Sequence, residues 1–333
     1  MRVLVTGGAG FIGSHYVRRL LQGAYPAFAD AEVVVLDKLT YAGNRDNLAA
    51  VASEARMRFV RGDICDRETV GGVLRGVDVV LHFAAESHVD RSIEGAGDFV
   101  VTNVLGTQNL LEAAQDAGVW KFVQVSTDEV YGSLSEGSAT EDHPLEPSSP
   151  YSASKAGADL LARAFHRTHG LPVCITRCSN NYGPYQFPEK VIPLFLTKLI
   201  DGRTVPLYGD GMNVRDWIHV DDHCAGLQLV AERGVPGEVY NIGGGTELTN
   251  LDLTRHLLSA VGADWSTVDL VADRPGHDRR YSLDSAKITT ELGYVPRVSF
   301  EEGLAETVQW YRDNRDWWES TSLVGPGSAA ARP

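Results

Sequence analysis

The sequence predicts an α/β fold, a doubly wound parallel sheet with a smaller, loop-rich C-terminal lobe, on three observations. Short β-branched runs alternate with longer amphipathic segments through the first half of the 333-residue chain, the alternation that builds parallel strands and crossover helices. Several runs are apolar along most of their length, as strands covered on both faces must be. A glycine-rich turn stands between the first run and the first amphipathic segment, where such sheets hold their ligands.

In chain order the strand-like runs are residues 3–6, 32–37, 57–61, 77–84, 122–126 and 173–178. Residues 14–22, 69–76, 101–117 and 152–168 carry apolar side chains at helical spacing. Residues 1–179 are therefore expected to form the sheet domain with the catalytic residues. From 180 to 320 the pattern changes to Gly-, Pro- and Asn-rich loops with scattered short segments, a lobe laid over the sheet with some chain returning to it. Residues 321–333, rich in Gly, Ser, Ala and Pro, read as a disordered tail.

Composition narrows the functional classes. The chain is 43% hydrophobic and 22% charged, which excludes disordered and fibrous classes. Its formal charge of −14 counts against a nucleic-acid partner, which calls for a basic surface. No apolar run is long enough to span a bilayer, and the N-terminus enters the glycine turn without a signal-like segment, so a cytoplasmic location is expected. Cys65, Cys174, Cys178 and Cys224 form no CxxC pair and read as small buried hydrophobes. His219-Val220-Asp221-Asp222-His223 resembles a metal cluster, but it lies where a strand-like segment gives way to a helical one, with Asp221 or Asp222 as N-cap. No metal is expected.

The turn Thr6-Gly7-Gly8-Ala9-Gly10-Phe11-Ile12-Gly13 satisfies both GxGxxG, through Gly8, Gly10 and Gly13, and GxxGxxG, through Gly7, Gly10 and Gly13. Between a strand and a helix these glycines let the backbone approach a pyrophosphate and set it on the helix N-terminus. Asp37, ending the second strand, is placed to bind the adenosine ribose hydroxyls and to repel a 2′-phosphate, which favours NAD over NADP. Asp63, after the third strand, holds the adenine amino group or, like Asp66, caps the next helix.

Tyr151-Ser152-Ala153-Ser154-Lys155 puts a phenol and an ammonium one helical turn apart on one face. The lysine charge is expected to lower the tyrosine pKa and make Tyr151 a usable base. Thr127-Asp128-Glu129 ends a central strand, at the edge of the sheet where ligands bind. Two carboxylates there push one pKa up and can divide acid and base work.

Together, TGGAGFIG at 6–13 and YSASK at 151–155 resemble the extended short-chain dehydrogenase/reductase superfamily acting on nucleotide-sugars, over roughly residues 1–315. The segments STDEVYG (126–132), HFAAESHVDRS (82–92), NNYGPYQFPEKVIP (180–193), RDWIHVDDH (215–223) and RPGHDRRY (274–281) are similar to the pattern of the dTDP-glucose 4,6-dehydratases. The resemblance implies a lyase using NAD as a bound prosthetic group. Tyr151 would deprotonate the C4 hydroxyl, Lys155 would assist it, and Thr127 would hydrogen-bond the C4 oxygen. Glu129 would remove the C5 proton and Asp128 would protonate the departing C6 hydroxyl.

It further implies cofactor contacts at Gly7, Gly10, Phe11, Ile12, Gly13, Asp37, Lys38, Leu39, Thr40, Asp63, Ile64, Phe83, Ala84, Ala85, Ser87, Thr102, Tyr151, Lys155 and Asn181. Substrate contacts are implied at Ser87, Thr127, Asn180, Lys190, Val191, Pro206, Tyr208, Arg215, Asn250, Arg274 and His277. Arg279 and Arg280 add positive charge for an anionic sugar nucleotide.

A 4-epimerase or decarboxylase would share the glycine turn and YxxxK without requiring the Asp-Glu pair. A dinucleotide-sensing binding protein would keep the turn and lose the catalytic set. Thymine and uracil differ by one methyl, about 0.8 kcal/mol when buried, so the base rests on the resemblance. Apolar residues on more than one face of 101–117 (Val104, Leu105, Leu110, Leu111) and 152–168 (Leu160, Leu161, Ala164, Phe165) predict a homodimer through a four-helix contact.

Overall fold

The computed structural model describes residues 1–322. Its first half runs β1 (Arg2–Thr6), α1 (Phe11–Leu21), β2 (Glu32–Asp37), β3 (Met57–Arg61), α2 (Arg67–Val73), β4 (Val79–His82), the short helices α3 (Val89–Glu94) and α4 (Ala96–Phe99), and α5 (Thr107–Ala117). β5 (Lys121–Thr127), α6 (Pro150–His169) and β6 (Val173–Cys178) follow. The second half holds β7 (Asn180–Tyr182), α7 (Val191–Ile200), β8 (Val205–Tyr208), β9 (Val214–His219), α8 (Val220–Arg233), β10 (Val239–Ile242) and β11 (Thr246–Thr249). It ends in α9 (Asn250–Val261), β12 (Val268–Val271), α10 (Ala286–Leu292), α11 (Phe300–Asp313) and α12 (Arg315–Ser322).

Seven strands form one sheet in the order β10-β6-β5-β4-β1-β2-β3, every pairing parallel. Successive side chains of a strand point to opposite faces, and the core divides accordingly. Val3, Val5, Val33 and Val35 pack with Tyr16 and Leu20 of α1 and Leu227 of α8, whereas Leu4, Val34 and Leu36 pack with Leu110 of α5 and Ala162 of α6. Helices thus cover both faces, as the apolar strands require. Strand order reverses between β1 and β4, which opens a crevice at the carboxyl ends of the strands.

Three expectations need correction. Residues 101–117 are not one α-helix: Val100–Gly106 forms a π-helical turn that leads into α5. Its Asn103 side chain is occupied by Glu86 and Ser154, and the Thr107 hydroxyl bonds the Asn103 carbonyl. The stretch read as loops beyond 180 carries its own core, in which α7, α9 and α11 pack Phe195, Leu257 and Leu304 against Trp217 of β9. The Thr249 cap and the Ser299–Glu302 capping box start α9 and α11, local signals hidden among the surrounding glycines. Finally, helix α12 extends through Thr321 and Ser322, with the Thr321 hydroxyl on the Trp317 and Trp318 carbonyls. The rest of the expected tail, 323–333, lies outside the described residues.

Candidate active site

The glycine turn is dictated by close approach. Gly7 has φ +68°, and a Cβ there would stand 2.6 Å from the Ala84 nitrogen; one on Gly13 would stand 2.4 Å from the Gly7 carbonyl oxygen. Gly10 precedes α1 and no side chain caps the helix, leaving its N-terminus available to an anion. Asp37, buried at the end of β2, accepts from the Ala9 and Leu39 amides at 2.9 and 2.8 Å. Leu39 takes φ +59° to make that bond.

Between Asp63 and Asp66 the roles divide: Asp66 caps α2, while Asp63 pairs with Lys38 at 2.7 Å beside the cavity. Every expected cofactor residue except Leu39 lines one cavity over this turn. Its wall also includes Leu36, Gly43, Glu86, Ser126, Cys178, Ser179, Gln186 and Phe187, which the sequence reading missed. Cys178 lies opposite Thr127 in the β5–β6 register, so the rule that ligands meet strand ends would have found it.

Thr127 ends β5 and caps the 3₁₀ turn Asp128–Tyr131, its hydroxyl accepting from the Glu129 amide at 3.3 Å and donating to Asp128 Oδ1 at 3.2 Å. Thr127, Asp128, Glu129, Tyr151 and Lys155 line the same cavity. Burial, then the Glu129 and Asp216 carboxylates, hold the Asp128 carboxyl well above its ordinary range. Burial also raises Glu129, against the opposing charges of Lys190, Arg215 and Arg274. Burial thus raises both carboxyls, but only Glu129 has three cations as its leading opposing charges, so the two environments differ in the way that can divide acid from base work.

Tyr151 departs from expectation. Burial, followed by Glu129, Cys178 and Asp128, pushes its hydroxyl up rather than down. The Lys155 ammonium donates to the Val125 carbonyl at 2.7 Å, and burial lowers its own pKa. Desolvation and the adjacent carboxylates set the direction at Tyr151.

Of the expected substrate residues, Ser87, Thr127, Asn180 and Lys190 line the cavity; Val191, Pro206, Tyr208, Arg215, Asn250, Arg274 and His277 do not. Lys190 donates to the Ser87 carbonyl at 2.7 Å. Buried Arg215 donates to the Asp278 carbonyl and lies 4.3 Å over the Tyr281 ring. Arg274 pairs with Asp90 at 2.9 Å, and His277 with Asp273 at 2.6 Å. Val191 opens α7, Pro206 and Tyr208 lie on β8, and Asn250 opens α9.

Arg279 and Arg280 are held by Asp210 and Glu247. In the His219–His223 cluster neither aspartate is the N-cap. His219 caps α8, Asp221 meets His15 and Arg19, and Asp222 accepts from the Arg297 and Val298 amides.

Comparison with known proteins agrees with this geometry. The family described as GDP-mannose 4,6 dehydratase matches residues 4–307. A dTDP-glucose 4,6-dehydratase of Streptomyces niveus is 60% identical over 100% of this chain and 98% of its own. The structure of DesIV, a dTDP-glucose 4,6-dehydratase from Streptomyces venezuelae with NAD and dTDP bound, superposes with a TM-score of 0.96 at 67% identity, covering 96% of this chain and 100% of that one. A UDP-glucose 4-epimerase from Thermotoga maritima, solved with UDP-glucose, reaches 0.87 at 34% identity over 95% and 100%. With a glycine turn, an Asp-Glu pair and a YxxxK helix meeting in one cavity, and relatives this similar along its whole length, the chain belongs to the dTDP-glucose 4,6-dehydratase family.

Proposed function

We propose that the chain converts dTDP-glucose to dTDP-4-keto-6-deoxyglucose and water. The observation that carries this reading is the Asp128–Glu129 pair on the cavity wall that also bears Tyr151, with burial and the neighbouring carboxylates raising the Asp128 carboxyl. An epimerisation or decarboxylation has no use for that pair; an elimination needs both.

The residues fit NAD. The glycine turn is a cradle that Cβ atoms would fill, Asp37 stands at its ribose end, and the buried Ser126 Oγ, Asp128 Oδ2 and Asn180 Oδ1 of cavity-lining residues have no partner among the described residues. Bound NAD supplies a hydride acceptor for C4 and a donor for C6. Tyr151 would take the C4 hydroxyl proton once positive charge from Lys155 and the bound cofactor opposes the burial that raises its phenol in the free chain. Thr127 would hold the resulting C4 oxygen. The C4 ketone acidifies C5, whose proton goes to Glu129. The C6–O bond breaks as Asp128 gives its proton to the departing hydroxyl, releasing water, and Glu129 returns a proton to C5. Lys190, Arg215 and Arg274 keep Glu129 able to ionise and place positive charge near an anionic substrate.

On this reading residues 1–179 supply cofactor site and chemistry, and residues 180–320 supply most of the nucleotide contacts. Thymine rather than uracil rests on the relatives. A homodimer in the cytoplasm, beside the nucleotide-sugar pool, completes the proposal. The test is incubation with dTDP-glucose deuterated at C4. A product one water lighter, with deuterium at C6, supports it; a product of unchanged mass, as an epimerase gives, or label lost to solvent refutes it.

A further inference from the structure

Behind the cavity, on the face of β6 opposite Cys178, lies a fully buried polar chain. Arg177 and Asp159 are 1% and 0% exposed and meet at 3.0 Å through Arg177 Nε and Asp159 Oδ2. Arg177 Nη1 donates to the Tyr131 hydroxyl at 3.0 Å, and that hydroxyl donates to Asn241 Oδ1 at 2.8 Å. The Asn241 side chain donates in turn to the Ala139 and Asp284 carbonyls.

The ends of this chain are informative. Asp159 lies on α6 one turn beyond Lys155 and two beyond Tyr151, on the same face. Tyr131 closes the turn that starts at Asp128 and carries Glu129. The turn is pinned further at Gly132, with φ +75°, where a Cβ would stand 2.2 Å from the Glu146 carbonyl oxygen. One guanidinium therefore bonds the turn bearing the acid–base pair and the helix bearing the tyrosine.

Stability does not account for it. A buried ion pair usually contributes less than well-packed apolar residues of the same volume. Here Asp159 Oδ1 and Arg177 Nη2 are left buried without partners among the described residues, a further cost. What the arrangement supplies is fixed geometry. Asp159 also opposes the burial that lowers the Lys155 pKa, which ties the strut electrostatically to the YxxxK helix.

We propose that Tyr131, Arg177 and Asp159 form a buried strut that fixes the Asp128–Glu129 turn relative to Tyr151 and Lys155, making Arg177 and Tyr131 positioning residues for the elimination step. The proposal rests on the dehydratase reading above. C4 oxidation uses Tyr151 and Lys155 of α6, the cofactor site and Thr127, which is fixed by the β5 strand ahead of the turn, whereas C5 deprotonation and C6 departure need the turn itself held in place.

Tyr131→Phe is the gentle probe, because it keeps the ring beneath the guanidinium and removes only the hydroxyl. A misplacement of this kind costs roughly 10- to 100-fold in rate, so kcat should fall by that factor with KM for dTDP-glucose unchanged. The fraction of enzyme holding reduced nicotinamide during turnover should rise, because oxidation then outruns elimination, and solvent exchange at C5 should slow. Arg177→Lys should shift the same fraction, and adding Tyr131→Phe to it should cost little more, since both act through one link. A Tyr131→Phe enzyme with a lowered unfolding midpoint but a wild-type reduced fraction has lost stability alone, and overturns the proposal. Multiplicative losses in the double variant overturn it too. Wild-type enzyme inert toward dTDP-glucose overturns the dehydratase reading itself, and the strut's assignment with it.

Discussion

Tyr151, Glu129 and Asp128 share one cavity wall; on the proposed reading they move different protons, and single substitutions separate them. Tyr151→Phe removes the base for C4 oxidation, so rate should fall by roughly 10² to 10⁴, the usual worth of a positioned base, with no reduced nicotinamide formed. Glu129→Gln leaves oxidation intact and blocks C5 deprotonation. Mixing that variant with substrate should build up reduced-nicotinamide absorbance and a 4-keto sugar without C5 exchange; normal turnover would refute the assignment. Asp128→Asn should keep C5 exchange and slow loss of the C6 hydroxyl.

Asp128 also carries a stability signature. Its folded pKa is raised by burial and Glu129, so the folded chain keeps a proton that the unfolded chain releases above about pH 3.9. Below that pH both states are protonated and the group makes no difference. Above it stability falls as pH rises, by about 1.4 kcal/mol per pH unit at most, until the folded carboxyl ionises. Asp128→Asn removes that slope, so its gain in denaturation midpoint over wild type should widen from about pH 4 toward neutrality. A gain constant with pH would mean that Asp128 is ionised when folded. These residue types were legible in the sequence because motif spacing fixes which side chains share a helix face or strand end. The upward shift of Tyr151 was not, because it depends on how much water the surrounding chain excludes and on carboxylates brought in by β5.

Helices α5 and α6 show why a count of apolar residues overstates what is left for a partner. Leu110 and Leu111 are fully buried against the sheet, while Val101, Leu105 and Leu160 are 47%, 45% and 55% exposed. The dimer proposal therefore rests on the second group, contributed partly by the π-helical turn that periodicity took for regular helix. A seven-residue π-helical segment rotates the stripe without erasing it, so helical spacing alone could not reveal the break. Because Leu105 and Leu160 are exposed, the double substitution Leu105→Glu, Leu160→Glu should leave the fold intact. In sedimentation velocity the wild type should run as a dimer and the variant as a monomer with an unchanged unfolding midpoint. A monomeric wild type would remove the four-helix contact from consideration.

The parallel sheet and its crevice follow from patterns within the first 180 residues, but closure of the molecule depends on contacts between distant segments that no local pattern records. β10 returns to the sheet edge beside β6, and α8 packs against α1. The sequence hinted at that return only as chain coming back to the main domain.

The far end of the chain reaches the glycine turn as well. Trp317 of α12 donates its indole N–H to Asn47 Oδ1 at 2.9 Å; Asn47, 2% exposed, donates to the Ala9 carbonyl inside the turn, and its own carbonyl accepts from Arg18 of α1. Arg18 lies 4.2 Å over Tyr185, whose ring packs on Trp310 and Trp317. Trp317→Phe preserves an aromatic ring in that cluster and removes the donor, leaving a buried acceptor unpaired at a cost of about 1–3 kcal/mol. Because Asn47 braces the turn that cradles the cofactor, part of that cost should appear as weaker NAD binding, about tenfold for each 1.4 kcal/mol expressed there. Reconstitution of cofactor-stripped protein should then need more NAD to reach half-maximal activity, while kcat at saturating NAD stays at the wild-type value, since no catalytic group has moved. A lowered unfolding midpoint with unchanged NAD affinity would show instead that α12 fastens the second core and does not brace the cofactor turn.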